Sequence, residues 1–296
     1  KSLIAWFDSE AVTPEAAPGI AWLRILPFIG LHVGCIAVFW VGFSWPALIA
    51  LLLTYSLRMF AITGFYHRYF SHKTFKTHPW MEVLFAFIGA SSAQRGPLWL
   101  AAHHRKHHRH SDTEQDLHSP IHGFMQSHMA WFLNHRAFAT DYAVIQHSAN
   151  RPPLNWRNRF DLLAPVSLAV LLYIVGAALD YFFPGLGTSG AQLFVWGFVL
   201  STVLLFHVTV SINSVAHVWG RRRYATADNS RNNALLALLT FGEGWHNNHH
   251  HYPNTVRQGF FWWEIDMTYL ALKAMSYFGL TWDLKPVPAH IKTAAR

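Results

Sequence analysis

Histidines are concentrated in three short stretches of this chain, and their spacing suits metal coordination. The first stretch reads 67-HRYFSH-72, the second 104-HRKHH-108 and the third 246-HNNHH-250. The second and third share the spacing i, i+3, i+4, which on a helix puts three side chains on one face. Each triplet is therefore predicted to direct three imidazoles at one point.

The two histidines of the first stretch lie five residues apart, which is about 140° around a regular helix. They cannot both bind one metal from such a helix. Either the helix ends near His67, or His67 and His72 serve different metals. Asn213 and His217, four residues apart, add one amide and another imidazole. A two-metal site would use all nine predicted ligands, which are His67, His72, His104, His107, His108, His217, His246, His249 and His250.

The residue types around these histidines narrow the choice of metal. Cys35 is the only cysteine of the chain, so thiolate sites and internal disulfides are excluded. Imidazole suits Fe, Zn and Cu, whereas Mg and Ca prefer oxygen. Glu243 stands in a Glu-x-x-His pattern, but a carboxylate-bridged bundle needs two such patterns and two further glutamates. We therefore expect Glu243, like Asp112 and Asp116, to orient an imidazole rather than bind the metal.

The remaining histidines have a simpler interpretation. A single histidine near a membrane surface is usually an amphipathic side chain, and this applies to His32, His78, His128, His147, His207 and His290. His103, His110 and His251 adjoin the triplets but fall outside the shared helix faces, which predicts supporting or surface roles. A histidine-rich loop that only sequesters metal is the alternative for the triplets themselves. The separation of the clusters by more than a hundred residues speaks against it.

The elements that position these histidines are predicted to be membrane helices. The chain has 296 residues, 52% hydrophobic and only 13% charged, whereas soluble domains carry roughly 25% charged residues. About 20 helical residues cross the roughly 30 Å hydrocarbon layer. Four apolar blocks are that long, and they cover residues 20–43, 45–65, 162–183 and 192–212.

Charge along the chain predicts the topology of these helices. No Lys or Arg occurs between Arg24 and Arg58 or between Arg159 and Arg221, so the positive-inside rule puts both hairpin turns outside the cell. The prediction is an all-α integral membrane fold of one domain, residues 1–296. Four spanning helices form two hairpins, and a cytosolic cap, residues 66–160 and 214–296, carries the dimetal site. The net charge of +8 then indicates contact with lipid or substrate phosphates and no nucleic acid.

Four segments give the chain a resemblance to the membrane fatty acyl desaturases, specifically the stearoyl-CoA desaturase-like branch with acyl-CoA delta-9 specificity. They are 67-HRYFSH-72, 104-HRKHHRHSDTEQDLHSP-120, 213-NSVAHVWG-220 and 241-FGEGWHNNHHHYP-253. The resemblance implies a diiron enzyme that uses dioxygen and two electrons to remove two hydrogens from adjacent methylenes of an acyl chain. It implies that the nine histidines hold the irons and that Asn213 reaches one iron through a water. Zinc is the expected substitute in an overexpressed sample.

The resemblance leaves the acyl carrier open. Relatives that bind coenzyme A often have Trp-Ala-Arg-Asp before the second cluster, where this chain reads 100-LAAH-103. Gln94 matches a residue of the family's substrate tunnel, and basic and aromatic side chains nearby suit the head group and acyl chain. The predicted substrate-binding residues are Gln94, Arg95, Trp99, Arg136 and Trp262.

Electrons must come from a separate protein, because the chain has no haem site, flavin fingerprint or iron-sulfur cysteines. A donor of the ferredoxin, rubredoxin or cytochrome b5 type is expected. Two other functions are alternatives: a related diiron hydroxylase or alkane monooxygenase, and a histidine-rich metal transporter. Transport would require ionisable ligands along the spanning helices, where only His32 and His207 occur.

Overall fold

The computed structural model describes residues 8–9, 19–146 and 152–294, with the side chains of residues 23, 24 and 136 outside that description. It is helical almost throughout, with one small antiparallel pair of strands, β1 (Lys76–Thr77) and β2 (Thr281–Trp282). The helices are α1 (Trp22–Gly34), α2 (Trp45–Ser71), α3 (Pro79–Ala90), α4 (Pro97–His110), α5 (Phe124–His128), α6 (Pro152–Arg159), α7 (Leu163–Phe182), α8 (Gly190–Val218), α9 (Ala234–Leu239), α10 (His246–His251), α11 (Met267–Tyr277) and α12 (Ala289–Thr293).

Within the described residues, three helices are long and apolar enough to cross a membrane: α2, α7 and α8. They coincide with three of the four predicted spans. The exception is the predicted span 20–43, whose helix continues from α1 through a 3-10 turn (Cys35–Ala37) to Val38–Val41. It ends there because Gly42 adopts a φ of 69°, a left-handed conformation that stops a helix. This segment is not among the three spans found in the described residues, so the fourth span stays a prediction.

Polar side chains join the hairpins across their apolar surfaces. Ser44 caps α2 by accepting the backbone N–H of Ala47, and its hydroxyl donates to Gln192 Oε1 at 2.6 Å. Midway along the same helices, Thr54 donates to the carbonyl of Gly197 at 2.7 Å. Hydrogen bonds of this kind hold helices together where water is absent. By contrast, α7 is mostly exposed, as expected of a helix that faces lipid.

The C-terminal ends of α2 and α8 reach α4 and α10, the helices that carry the second and third histidine stretches. An aromatic core packs there, in which Phe65 stacks on Phe85 with ring centroids 4.0 Å apart. The start of α4 is fixed by Asn158 of α6, whose Oδ1 accepts the N–H of Trp99 at 2.8 Å. This contact sets the direction in which α4 presents its histidines.

A buried ion cluster ties the end of α2 to the later cap segments. Arg68, only 1% exposed, pairs with Glu243 at 3.0 Å and with Asp266 at 2.9 Å, and it donates to the carbonyl of Val256. Gly242 permits this approach, because a Cβ atom there would lie 2.4 Å from Asp266 Oδ1. Glu243 is thereby held beside the first histidine of the chain's first cluster.

Candidate dimetal site

Nine histidines converge in two groups where the ends of α2 and α8 meet α4 and α10. In each group, every residue offers one ligand atom within 4.8 Å of the others. The first group consists of His67, His72, His104, His108 and His249. Its Nε2 atoms approach closely, with 2.7 Å from His72 to His104 and 2.8 Å from His108 to His249.

The second group lies directly beside the first and has four members, His107, His217, His246 and His250. The Nε2 atoms of His217 and His246 are 3.0 Å apart, and those of His107 and His250 are 3.4 Å apart. The rings of His108 and His250, one from each group, have centroids 4.5 Å apart. Asn213, predicted to act through a water, lies one helical turn before His217 and lines the same cavity as His246.

The prediction that each triplet converges on one point is wrong, because both triplets are divided between the groups. In α4, His104 and His108 join the first group and His107 the second; in α10 the division is reversed, with His249 alone in the first group. The reason is angular. Residues i and i+4 lie about 40° apart around a helix, whereas i+3 and i+4 are about 100° apart.

Neither alternative for the first stretch is observed, because the helix continues past His67 to Ser71 and the two histidines share one group. Both His67 and His72 belong to the first group. The chain is wound as a π-helix over Ala61–Ser71, and the N–H of His72 donates to the carbonyl of His67 at 3.2 Å. This i to i+5 hydrogen bond brings residues five apart onto one face, which a regular α-helix does not do.

Four of the nine imidazoles have a carboxylate partner at Nδ1, the nitrogen that faces away from the group. The Nδ1 atoms contact Glu243 (His67, 2.6 Å), Asp116 (His107, 2.9 Å), Asp112 (His217, 2.9 Å) and Asp228 (His250, 2.7 Å). An ionised carboxylate only accepts hydrogen bonds, so each Nδ1 carries the hydrogen and each Nε2 presents its lone pair to the group. Glu243, Asp112 and Asp116 thus lie where sequence reasoning expected them, whereas Asp228 was missed.

The asparagines inside the third stretch explain how Asp228 reaches its imidazole. Asn247 is fully buried, and its Oδ1 accepts the backbone N–H of Tyr224 at 2.7 Å. The Oδ1 atom of Asn248 accepts the side-chain N–H of Asn232 at 2.7 Å. These amides fasten the irregular loop before α9 to the back of α10. Asp228 sits in that loop, 22 residues before His250, and no spacing rule predicts such a contact.

Burial disfavours the charged form of several ligand imidazoles. The pKa of His104 lies well below its usual value because burial and then the neighbouring imidazoles disfavour a positive charge, and the same causes lower the pKa of His246 and His250. Burial alone would raise the pKa of Asp116, but hydrogen bonding and charge from its histidine partners lower it. Neutral imidazoles and ionised carboxylates are the protonation states that metal binding requires.

These features fit two transition-metal ions. His107 and His250 both have a carboxylate at Nδ1, so their Nε2 lone pairs face each other across 3.4 Å and repel one another unless a cation lies between them. Imidazole nitrogens at about 2.0–2.1 Å from one ion lie about 2.9–3.4 Å apart at octahedral or tetrahedral angles. Each group can therefore hold one metal ion.

A cavity of about 120 Å³ adjoins both groups, and its walls are mostly apolar. Among its lining residues are Ile62, Phe206 and Trp99. Gln94 is a further lining residue, whose Oε1 accepts the hydroxyl of Thr209 at 2.9 Å. The predicted substrate residues Gln94 and Trp99 thus lie beside the metal groups.

The other predicted substrate residues lie elsewhere. Arg95 borders a second cavity. Trp262 is 83% exposed and does not line the metal cavity, so the structure does not bring it to this site. The side chain of Arg136 is outside the described residues. These three positions share a basic or aromatic side chain, and that feature alone does not predict on which wall a residue falls.

Two further histidines line the cavity. His118 packs on His107 with ring centroids 4.4 Å apart, and burial lowers its pKa to about 3. His103 packs on Trp99 at 4.5 Å, and burial lowers its pKa to about 4. Sequence reasoning missed His118, although its place two residues after Asp116 was the available signal.

Comparisons with known proteins agree with this site. The sequence model of the fatty acid desaturase family matches residues 43–284. The chain is 35% identical over 278 residues to "sn-2 palmitoyl-lipid 9-desaturase" of Nostoc sp. (strain 36), covering 91% of this chain and 93% of that protein. It is 33% identical to "sn-1 stearoyl-lipid 9-desaturase" of Anabaena variabilis, covering 93% of this chain and 97% of the relative.

A plant relative extends the comparison. The chain is 36% identical over 246 residues to "Delta-9 acyl-lipid desaturase 1" of Arabidopsis thaliana, covering 82% of this chain and 77% of the relative. The family match spans most of the chain and includes every histidine of the two groups. The resemblance read from the histidine stretches is confirmed. The protein is an oxidoreductase, and the chain belongs to the fatty acid desaturase family.

Proposed function

We propose that this protein introduces a double bond into a long saturated acyl chain at a histidine-held diiron centre, using dioxygen and two electrons from an external donor. The observation that carries the proposal is the pair of imidazole groups at the wall of an apolar cavity. Breaking a methylene C–H bond is beyond side-chain acid-base chemistry, and the bound irons would supply the oxidising chemistry. The chain's own residues bind the acyl chain and orient the imidazoles that would hold the irons.

The cavity residues act by shape and by exclusion of water. An alkyl chain offers no polar group to bind, so its affinity comes from burial, at about 0.8 kcal/mol for each methylene. Ile62, Trp99 and Phe206 provide such an apolar wall. Glu243, Asp112, Asp116 and Asp228 keep each imidazole in the tautomer that faces the metal.

We infer that the acyl chain is carried by a membrane lipid and is desaturated between its ninth and tenth carbons. The printed names of the Nostoc, Anabaena and Arabidopsis relatives describe acyl-lipid 9-desaturases, whereas a relative from Anemone leveillei is named "Acyl-CoA C20 Delta5-desaturase". The stretch 100-LAAH-103 lacks the arginine that coenzyme A-binding relatives often have. This difference favours the lipid.

We further propose that α1 completes a four-helix membrane domain and that the metal groups face the cytosol. Support comes from the hairpin turns, which carry no Lys or Arg between Arg24 and Arg58 or between Arg159 and Arg221. On the cytosolic side, an electron donor of the ferredoxin, rubredoxin or cytochrome b5 type can reach the protein.

The test is the lipid profile of a host that expresses the protein. A host without its own desaturase should gain palmitoyl- and stearoyl-derived chains with a double bond between the ninth and tenth carbons. His251→Ala is the matched control for His249→Ala: His251 stacks on Tyr224 outside the groups, so His251→Ala should retain most activity and His249→Ala none. Hydroxylated chains would instead identify a hydroxylase. Unchanged lipids with altered cellular metal would identify a transporter.

A further inference from the structure

A second cavity of about 120 Å³ adjoins the metal cavity. Phe28 and Leu31 of α1 form one wall, and Leu162, just before α7, forms part of the opposite one. Phe132 lines both cavities. The half-buried ring of Phe132 therefore stands between the second cavity and the metal cavity.

The second cavity lies at the ends of α1 and α7 that are remote from the hairpin turns. Exposed apolar side chains surround it on the outer faces of the same helices, such as Leu26 and Val166. Trp22 is 66% exposed at the start of α1, and exposed Trp residues mark the level of the membrane interface. This is the depth at which the ester groups of membrane lipids lie.

Among the described residues that line the second cavity, Arg95 and Asp161 are charged and the others are mostly apolar. Arg95 donates from Nη2 to the carbonyl of Phe138 at 2.7 Å. Its Nη1 atom is 3.9 Å from Asp161 Oδ2, which is longer than a hydrogen bond. A guanidinium has five N–H donors, and the hydrogen bond to Phe138 uses one of them. Asp161 balances the arginine charge, which suits ester oxygens and a weakly charged head group better than a carrier with several phosphates.

We propose that this second cavity is the membrane-side entrance of the enzyme and holds the ester end of a diacyl membrane lipid. The acyl chain continues past Phe132 into the metal cavity, and Arg95 donates to the ester or phosphate oxygens. Phe132 packs between Phe28, at 6.2 Å, and Phe206, at 5.5 Å, so rotation of its ring joins the two cavities. This inference rests on the proposed function and adds the route by which the substrate enters.

Photolabelling tests the route without requiring turnover. The probe is dipalmitoyl phosphatidylglycerol with a diazirine beside the ester of one acyl chain, in vesicles that contain the full-length protein. After illumination, peptides that contain Phe28, Leu31 and Leu162 should carry the label. A palmitoyl-coenzyme A probe with the same diazirine should label them far less. Equal or stronger labelling by the coenzyme A probe, or lipid label confined to other peptides, overturns the proposal.

A pair of adjacent substitutions adds a functional test. Leu162→Trp fills the second cavity, whereas Leu163→Trp places the same ring on the exposed face of α7. Leu162→Trp should lower photolabelling at least tenfold and reduce desaturation of the lipid, and Leu163→Trp should change neither. If the Leu162→Trp protein is photolabelled normally and still desaturates the lipid, the proposed entrance is wrong and the proposed function is unaffected. Normal labelling by a wild-type protein that makes no double bond contradicts the proposed function and leaves the entrance supported.

Discussion

At the scale of single residues, the site depends on which nitrogen of each imidazole carries hydrogen. Glu243, Asp112, Asp116 and Asp228 accept from Nδ1, so Nε2 is free to bind a metal. The histidines themselves are visible in the sequence from their spacing. Their division between two groups was not predicted, because i, i+3 and i+4 were taken as one broad face, although i+3 and i+4 differ in direction by about 100°.

Asp228 allows a specific test of this orientation. Asp228→Ala should weaken metal binding by the second group about 10- to 100-fold, the usual effect of removing such a partner, because His250 loses its Nδ1 acceptor. Metal content would be measured against increasing concentrations of a chelator. Glu114→Ala is the control, since the side chain of Glu114 is 92% exposed. Equal chelator resistance in the two variants would show that Asp228 does not orient the ligand.

At the scale of elements, two features decide where the histidines meet. The π-helical end of α2 puts His67 and His72 on one face, and the Arg68 ion cluster holds that end against the segment that contains Glu243. The sequence predicted three of the spanning helices from their apolar length. It did not predict the π-helix, because helical periodicity near 3.6 residues per turn was assumed and the signal for a wider turn is a tertiary one.

Removing the Arg68 side-chain charge should destabilise the cap strongly. In Arg68→Met, Glu243 and Asp266 remain buried without their cation, which costs about 3–5 kcal/mol. Lys76→Met is the matched control: Lys76 and Asp283 are 67% and 61% exposed, and exposed pairs contribute about 0–1 kcal/mol. The midpoint of thermal unfolding in detergent should fall clearly for Arg68→Met and hardly for Lys76→Met. Similar midpoints would refute a stabilising ion cluster.

At the scale of the whole molecule, the site gathers histidines from α2, α4, α8 and α10, and its stability should depend on pH. Six histidines outside the membrane helices have a pKa well below the usual value because of burial: His72, His104, His108, His246, His249 and His250. Unfolded histidine has a pKa of about 6.5. Below that pH the unfolded chain binds more protons than the folded one, so acid favours unfolding.

The expected result is a metal-free protein that loses stability as the pH falls from about 7.5 to about 5.5. Each such histidine contributes about 1.4 kcal/mol per pH unit once the pH is below its unfolded pKa. The measurement is the midpoint of thermal unfolding in a series of buffers. A midpoint that stays constant over this range would mean that the folded imidazoles take up protons as readily as the unfolded ones.

The family, the helical membrane-type architecture and the nine histidines were all accessible from the sequence, because apolar blocks and histidine spacing are local signals. Asp228 and the second cavity were not accessible, since they depend on loops and helix ends that meet only in the folded chain. The first apolar segment, predicted to span from residue 20 to residue 43, is helical from Trp22 to Val41 and leaves the helix at Gly42, whose φ is 69°.

The central claim is that the nine imidazoles form two separate metal sites, and the most direct measurement is the number of transition-metal ions per purified chain. The wild-type protein should contain about two. His249→Ala should weaken the first group and His246→Ala the second, each leaving about one ion, because the two residues belong to different groups. A wild-type protein that holds one ion or none, or two variants that both retain two ions, would contradict the account.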